Sequence, residues 1–366
     1  MEKRNITQKK LERIYGTVQR KKGSLRCAVG FDAFIDHLFR PIRQRRNSGP
    51  EYFKDLDEFA QLLQSKASLS GSIELAPLST KYGGNNPLLS YGIGKMGISV
   101  SSVGAYGGSC IHPIFSPVGK VCELHSFTEP GECYAYEFPK NKLMTFKNMD
   151  ADAFAFPQFE EKVGAGQLRR LVDECSMFAL VNYSEQPAVL SVWLGLLRNY
   201  IRYSSPGKLF FFDLADCTHL PDSSLHDCFE AIEGFRHFGR TYLSLNENEF
   251  NKLCSLYIPE VLRGETPPST PRLLHLLWER LPLSGLILRT LPCFYGVDGA
   301  GDVSVENIIV EQPRLLTGAG DNQNAGIAVG LMCGLPLADC LLLGVRSGNY
   351  YIVHGQGGTL QEICGV

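Results

Sequence analysis

Thr317-Gly318-Ala319-Gly320-Asp321 puts a glycine-rich turn and an acid directly ahead of Asn322-Gln323-Asn324-Ala325-Gly326. The uncharged run from Ile327 to Met332 beyond it is of the kind a buried helix requires. Free backbone N–H groups at a helix start attract anions, and glycines let a phosphate approach them closely. An acid beside such a turn is electrostatically unfavourable unless it serves the reaction. The service that fits is removing a proton from a hydroxyl as it attacks phosphorus. The pattern therefore predicts a phosphoryl-transfer site, with Asp321 as base and the N–H groups of Gly318, Ala319 and Gly320 holding the anion.

The same four letters occur earlier, at Gly299-Ala300-Gly301-Asp302. The next segment there, Val303 to Val310, is β-branched and alternating, so it reads as a strand, and Asp298 ahead of it completes a hairpin turn. Only the second copy opens a helix, so only it offers unpaired N–H groups.

The elements that must position this site have an alternating rhythm. Short apolar runs read as strands at Cys27–Gly30, Ile98–Val103, Met177–Val181, Leu209–Leu214, Tyr242–Leu245 and Gly285–Leu288, with helices at Pro187–Tyr203 and Pro271–Leu281 between them. Near-continuous apolar strands separated by helices imply an α/β fold with a mainly parallel sheet covered on both faces. Ligands of such sheets lie at the carboxyl ends of the strands, where Asp36, Asp213, Asn246 and Asp321 fall. The stretch from Val121 to Thr145 breaks the rhythm and reads as a hairpin around Pro139-Lys140-Asn141. Leu11, Ile14 and Val18 recur at helical spacing in a basic arm over residues 1–22.

The second glycine turn resembles the C-terminal signature of the ribokinase-like (PfkB) carbohydrate kinases, and three further segments match in order. Lys81-Tyr82-Gly83-Gly84-Asn85-Asn86-Pro87 is similar to the family's N-terminal Gly-Gly signature, Val29 to Asp36 to its first strand, and Leu245-Asn246-Glu247-Asn248-Glu249 to its Asn-x-x-Glu motif. The resemblance covers about Cys27 to Val353. It implies a three-layer α/β/α fold with a small β lid built from 36–46 and 121–146, on a single kinase domain spanning 1–366. It implies ATP as phosphoryl donor and Mg2+ as cofactor. Acceptor binding falls to Asp36, Asp32, Gly83, Gly84, Asn85 and Asn86. Nucleotide and phosphate binding falls to Asn246, Thr317 and Asn349, and the metal, through water, to Glu249 and Asn246. Closing a lid would exclude water as a competing acceptor. A lid sheet could also pair two copies as a homodimer.

Family members usually carry an acid and a hydroxyl where this chain has Leu315 and Leu316. The acid contributes to a monovalent-cation site, and leucine side chains offer no ligand, so little dependence on potassium is expected. The extra length relative to the family lies in the arm and around Arg40–Ser72. Sugar, sugar phosphate and nucleoside acceptors all fit, ADP could replace ATP as donor, and a catalytically silent sugar- or nucleotide-binding relative is the alternative of another class.

Other patterns carry less. Gly92-Ile93-Gly94-Lys95-Met96-Gly97 has the spacing of a dinucleotide fingerprint but ends a helix where the fingerprint opens one. Cys110, His112, Cys122 and His125 lack zinc-ligand spacing, and Arg40, Arg43, Arg45 and Arg46 read as a solvated loop. With 44% apolar and 20% charged residues and a net charge of −2, the 366-residue chain suits a globular enzyme and not a nucleic-acid partner. Pro336 and Asp339 interrupt its longest apolar stretch, which argues against a membrane span. Twelve cysteines without a C-x-x-C pair, and a start lacking an apolar signal, lead to an expectation of reduced thiols and a cytoplasmic location.

The twin motifs give a direct comparison. Asp321→Asn should lower turnover by roughly 10²–10⁴-fold, whereas Asp302→Asn, in a surface turn, should cost less than about 0.5 kcal/mol and leave activity near that of the parent. Steady-state kinetics of the two variants decide it, and the reverse result would assign the chemistry to the other copy.

Overall fold

The computed structural model describes residues 2–139, 141–263, 268–311, 313–315 and 317–366. Its strands run β1 Arg26–Phe31, β2 Phe34–Arg46, β3 Gly49–Tyr52, β4 Glu74–Gly83, β5 Ser99–Gly104, β6 Glu123–Ser126 and β7 Gly131–Glu137. Then come β8 Lys142–Lys147, β9 Met177–Val181, β10 Lys208–Asp213, β11 Gly239–Asn246, β12 Gly285–Arg289, β13 Cys293–Asp298 and β14 Gly301–Glu306. One sheet has the order β14-β13-β12-β11-β10-β9-β1-β5-β6. Its pairs are parallel from β12 to β6, and β13 and β14 add antiparallel at one edge.

Side-chain alternation divides this sheet between two cores. Phe178, Leu180, Phe210, Phe212, Leu243 and Leu286 pack on one face with Trp193, Phe235 and Leu253 from the covering helices. Met177, Ala179, Leu209, Phe211 and Ile287 face the other way, against Leu89, Ile327, Val329 and Leu341. Both faces are dry, so the strands need apolar residues at every position, and the three-layer fold expected from the sequence results.

The second face includes the first helix, Glu2–Lys21, whose Leu11, Ile14 and Val18 are buried in that core. The basic arm is thus docked on the body. Lys10 and Arg13 pair with Asp339 at 3.0 and 2.6 Å, and Gln8 Nε2 donates to Gly365 O at 3.1 Å. No helix among the described residues is long and apolar enough to cross a membrane.

A smaller sheet of order β3-β2-β7-β8, with β4 pairing β2, stands beside the first. Three expectations change here. The segment 121–146 is not one hairpin: β6 pairs parallel with β5 in the large sheet, and only β7 and β8 form the hairpin. Of its turn, Lys140 lies outside the described residues, and Phe138 N–H donates to Asn141 O at 2.9 Å. The small sheet also takes in β3 and β4. The stretch Val29–Asp36 is not one strand either, since the chain breaks at Asp32-Ala33 and leaves the large sheet for the small one. Asp36 therefore sits on the small sheet and not at the end of a strand of the large one.

The basic cluster is spent on surface ion pairs: Arg45 with Glu74, Arg43 with Glu51 and Glu58, and Arg46 with Glu51. The first glycine copy turns between β13 and β14, where Asp298 Oδ1 accepts Ala300 N–H at 2.9 Å and Asp302 meets His275 Nδ1 at 2.7 Å. Gly92 to Gly97 closes the helix Asn85–Lys95, with Gly97 at φ +90°. All twelve cysteines are free, and no group of three or more His, Cys, Asp or Glu side chains that could hold a metal occurs among the described residues.

The helix behind the second copy, Ala319–Met332, crosses the helix Leu337–His354 at backbone contact. A Cβ on Gly326 would lie 2.5 Å from Leu343 O and 2.8 Å from Gly344 Cα. Backbone atoms cannot step aside as a flexible side chain does, so Gly326→Ala should destabilise the fold by about 1–3 kcal/mol. A lower urea midpoint with an unchanged m-value would show it; an unaltered midpoint would mean that the crossing is looser than these distances.

Candidate active site

Gly318 caps the helix Ala319–Met332 in the left-handed region, φ +93°, and puts Asp321 in the first turn. Two partners hold the turn in place. Tyr351 Oη donates to Thr317 O at 2.8 Å, and Asn322 donates to Gly318 O through both its backbone N–H, at 3.2 Å, and its Nδ2, at 2.9 Å. A Cβ at Gly318 would collide with the Tyr351 hydroxyl at 2.6 Å, so the turn demands glycine for both its backbone angle and its neighbour. Leu315 donates its N–H to Ile352 O at 3.3 Å, whereas Leu316 lies outside the described residues.

A cavity of about 220 Å3 opens in front of this turn, lined by Asn85, Asp213, Asn246, Glu249, Arg289 and Asp321 among others. Asp213, Asn246 and Arg289 end β10, β11 and β12, so three neighbouring parallel strands deliver one polar side chain each. Asp213 Oδ2 accepts from Asn324 Nδ2 and from Arg289 Nη2, the latter at 3.5 Å, while its Oδ1 accepts Ala215 N–H at 2.9 Å. Arg289 is 8% exposed and lies against Gly320, where a Cβ would meet its Nη1 at 2.7 Å. Its Nε is buried with no partner. A buried guanidinium that keeps an unused donor beside an anion-binding turn has the chemistry of a phosphate ligand.

The carboxylates crowd this arginine. Burial and the charge of Asp213 push the Asp321 carboxyl well above the ordinary range, with Arg289 opposing. Burial and Asp213 likewise raise Glu249 to about 8, with Arg289 again opposing. Both shifts are what desolvation and like charge do to an acid. Asn246 and Glu249 form a capping box on the helix Glu247–Tyr257: Asn246 Oδ1 accepts Glu249 N–H at 3.0 Å, and Glu249 Oε2 accepts Asn246 N–H at 2.8 Å.

The acceptor-side residues of the sequence reading separate into two sets. Asp32 accepts the N–H groups of Asn85 and Asn86 at 2.8 and 2.9 Å and Asn182 Nδ2 at 2.8 Å. Burial raises it to about 6 against those bonds. Asn86 donates to Asp32 O and Val103 O, and its Oδ1 accepts from Ser90 and Ser102. Gly84, at φ +95°, passes so close that a Cβ would lie 2.6 Å from Asp32 Oδ2. This trio positions the start of the helix Asn85–Lys95, and Asn86 has no hydrogen-bonding capacity left over. Asn85 faces the cavity.

Asp36 is buried on the small sheet against Gly83, where a Cβ would meet its Oδ1 at 2.2 Å. Burial raises its carboxyl, and Lys81, Lys142 and His37 oppose the shift. Burial raises the Tyr351 hydroxyl, and the charges of Asp321 and Asp36 add to the rise. A second cavity, of about 460 Å3, separates the small sheet at Leu38, Ser79 and Lys81 from Arg314, Leu315 and His354. Asn349 Nδ2 donates to Asn307 Oδ1 at 3.4 Å, on the helix Leu337–His354, and does not line the acidic cavity.

Sequence reasoning missed Arg289 and Asn324. Arg289 was within reach, because a charged residue closing the apolar run Gly285–Leu288 is unusual unless the strand's end serves a site. Asn324 carried no such signal.

A family model described as prokaryotic ketohexokinase matches residues 5–366. A ketohexokinase of Haloferax volcanii is 24% identical over 342 residues, which cover 92% of this chain and 89% of that protein. Among solved structures, the Arabidopsis thaliana ribokinase complexed with ribose and ATP superposes with a TM-score of 0.63 at 13% identity, covering 93% of this chain and 97% of its own. The adenosine kinase of Sinorhizobium meliloti gives 0.60 at 19% identity, covering 92% and 95%. Identities this low show a shared fold.

The electrostatics of Arg289 have a measurable sign. A base works ionised, so activity is lost as the pH falls through its pKa, and a raised Asp321 carboxyl places that loss above the ordinary carboxylate range. Arg289 favours the ionised form. Arg289→Gln should therefore move the acidic limb of kcat/KM to still higher pH and raise the nucleotide KM by roughly 10-fold or more, the worth of a hydrogen bond to a charged group. A pH–rate profile checks both; an unmoved limb would mean that Arg289 and Asp321 do not interact.

Proposed function

The chain belongs to the prokaryotic ketohexokinase family and is a carbohydrate kinase, and we propose that it transfers the γ-phosphoryl group of ATP to a hydroxyl of a ketohexose with Asp321 as general base. The observation that carries this reading is the joint placement of Asp321 and Asp36. One stands in the first turn of the helix behind Gly318, and the other lines a narrow space with Thr317, the residue before that glycine. A base at a phosphate-binding turn and an acid on the facing wall are what in-line transfer to a bound hydroxyl needs.

In this mechanism Asp36, across a narrow space from Thr317, and Asn85, on the wall of the acidic cavity, orient the acceptor, which enters between the small sheet and the turn. The small sheet acts as the lid of a single kinase domain. Asp321 takes the hydroxyl proton as the new P–O bond forms. The N–H groups of Gly318, Ala319 and Gly320 bond the oxygens of the transferring group, and Arg289, which lines the same cavity, bonds the neighbouring phosphates. Asn349 is assigned to the remainder of the nucleotide, whereas Thr317 lines the narrow space shared with Asp36 and Lys142.

The donor set fits Mg2+ in its hydrated form. Glu249 already accepts two hydrogen bonds from Asn246, and Asp213 is bonded to Asn324, Arg289 and Ala215, so these carboxylates are better placed to accept from coordinated waters than to bind the ion directly. When bound, Mg2+ supplies neutralisation of the phosphate charge. The charge of Asp213, which with burial raises both Glu249 and Asp321, would also favour a bound cation nearby.

ADP release measured with ATP over a panel of ketohexoses, ribose and adenosine tests the assignment. A ketohexose should be turned over with kcat/KM at least about ten times that of ribose or adenosine, the discrimination a few buried hydrogen bonds give. Preference for a nucleoside, or turnover with ADP and not ATP as donor, would overturn it.

A further inference from the structure

The face of the small sheet that carries Asp36 also carries two lysines. Register places Lys81 on β4 opposite Asp36, and Lys142 at the start of β8 opposite Glu137. Lys142 reaches furthest. Its Nζ donates to Thr317 Oγ1 at 2.5 Å, joining the sheet to the residue immediately before Gly318 across 175 positions of sequence. Its charge is also among those that oppose the rise of the Asp36 carboxyl. The ammonium thus stands between the proposed acceptor wall and the anion turn.

A hydroxyl is a weak partner for such a group. It takes one of three N–H donors and neutralises no charge. A phosphoryl group seated on the N–H groups of Gly318 to Gly320 would begin one residue away, about 3.8 Å along the chain, and a four-carbon stem spans that step without moving the strand. The charge distribution around the turn has the same gap. On the nucleotide side Arg289 faces Asp213, Glu249 and Asp321. On the acceptor side the transferring oxygens would otherwise meet the carboxylates of Asp36 and Asp321 with only the backbone to hold them. Lys81 is drawn to Asp36, which raises its affinity for the proton against the effect of burial.

We propose that Lys142 is a catalytic residue, a cation carried on the lid that bonds an oxygen of the γ-phosphoryl group during transfer. Lys142 remains protonated throughout. The bond from phosphorus to the acceptor oxygen forms as the bond to the ADP oxygen breaks, the proton goes to Asp321, and the ammonium stabilises charge on the equatorial oxygens. Closing the small sheet onto the turn and completing the charge balance are then one event, so the charged site is complete only when the acceptor is covered.

This rests on the kinase reading, and the test separates the two. Lys142→Gln and Lys142→Arg are compared with the parent enzyme in two measurements with a ketohexose present. In calorimetric titration, Lys142→Gln should weaken the non-hydrolysable β,γ-imido analogue of ATP by roughly 10-fold while leaving ADP within about 2-fold, because only the γ group meets Lys142. Lys142→Arg should keep most of the analogue affinity. In kinetics, kcat of Lys142→Gln should fall by roughly 30–100-fold, with Lys142→Arg losing less. Equal weakening of both nucleotides, or kcat within about 3-fold of the parent, would show that Lys142 only fastens the sheet to Thr317, and would overturn the proposal. Failure of the parent enzyme to phosphorylate the sugar would count against the ketohexose assignment, whereas the ADP-to-analogue difference needs no turnover and still judges Lys142.

Discussion

Crowding of negative charge at the carboxyl end of the large sheet is the constraint around which the site is built. Asp213, Glu249 and Asp321 approach one another closely enough to raise the last two, with Arg289 set among them. Left alone, such a cluster would protonate or push apart. Each member is held in position from outside the cluster: Asp213 by Asn324 and Ala215, Glu249 by its capping box, and Asp321 by the first turn of a helix whose far end is buried. A nucleotide adds more negative charge, so cations must accompany it. A cation entering among these carboxylates would relieve their mutual repulsion.

Asp32 performs a quieter service. Its carboxylate ties the loop after β1 to the start of the helix Asn85–Lys95 and to Asn182 at the end of β9. Three segments distant in sequence are set by one side chain at the point where the chain leaves the large sheet for the small one. The direction in which β2 departs, and with it the position of Asp36, depends on that node. Gly83 and Gly84 serve the same end by omission, since side chains there would displace Asp36 and Asp32.

Much of this was legible in the sequence because it is local. The two copies of Gly-Ala-Gly-Asp are told apart by the residues after them, alternating and β-branched in one case and small and apolar in the other. The structure gives a hairpin to the first and a helix to the second. Strand ends at Asp213 and Asn246 are marked by apolar runs that stop at a polar residue. The features that escaped are those that alternation and spacing do not encode. β4 is largely exposed and contains Pro77, so it carries no apolar stripe. β6 is four residues long and was merged with the hairpin beyond it. The bonds from Asp32 to Asn85, Asn86 and Asn182 join segments far apart in sequence, and Lys142 meets Thr317 only through the folded chain.

The docking of the first helix bears on how the chain is made. Leu11, Ile14 and Val18 are made well ahead of the surface that covers them, which belongs largely to the helices from Ala319 onward, and Arg13 waits for Asp339, 326 positions later. During synthesis at about 5–20 residues per second, the apolar stripe is therefore without its native cover for tens of seconds. The helix Ala319–Met332, which carries Asp321, likewise follows the first helix by about 300 positions. The core that seats Asp321 therefore closes only after the helices Ala319–Met332 and Leu337–His354 are made, so nascent chains acquire that cavity together with their final packing. Holding that stripe in the meantime is a task for the charged residues around it, or for a chaperone.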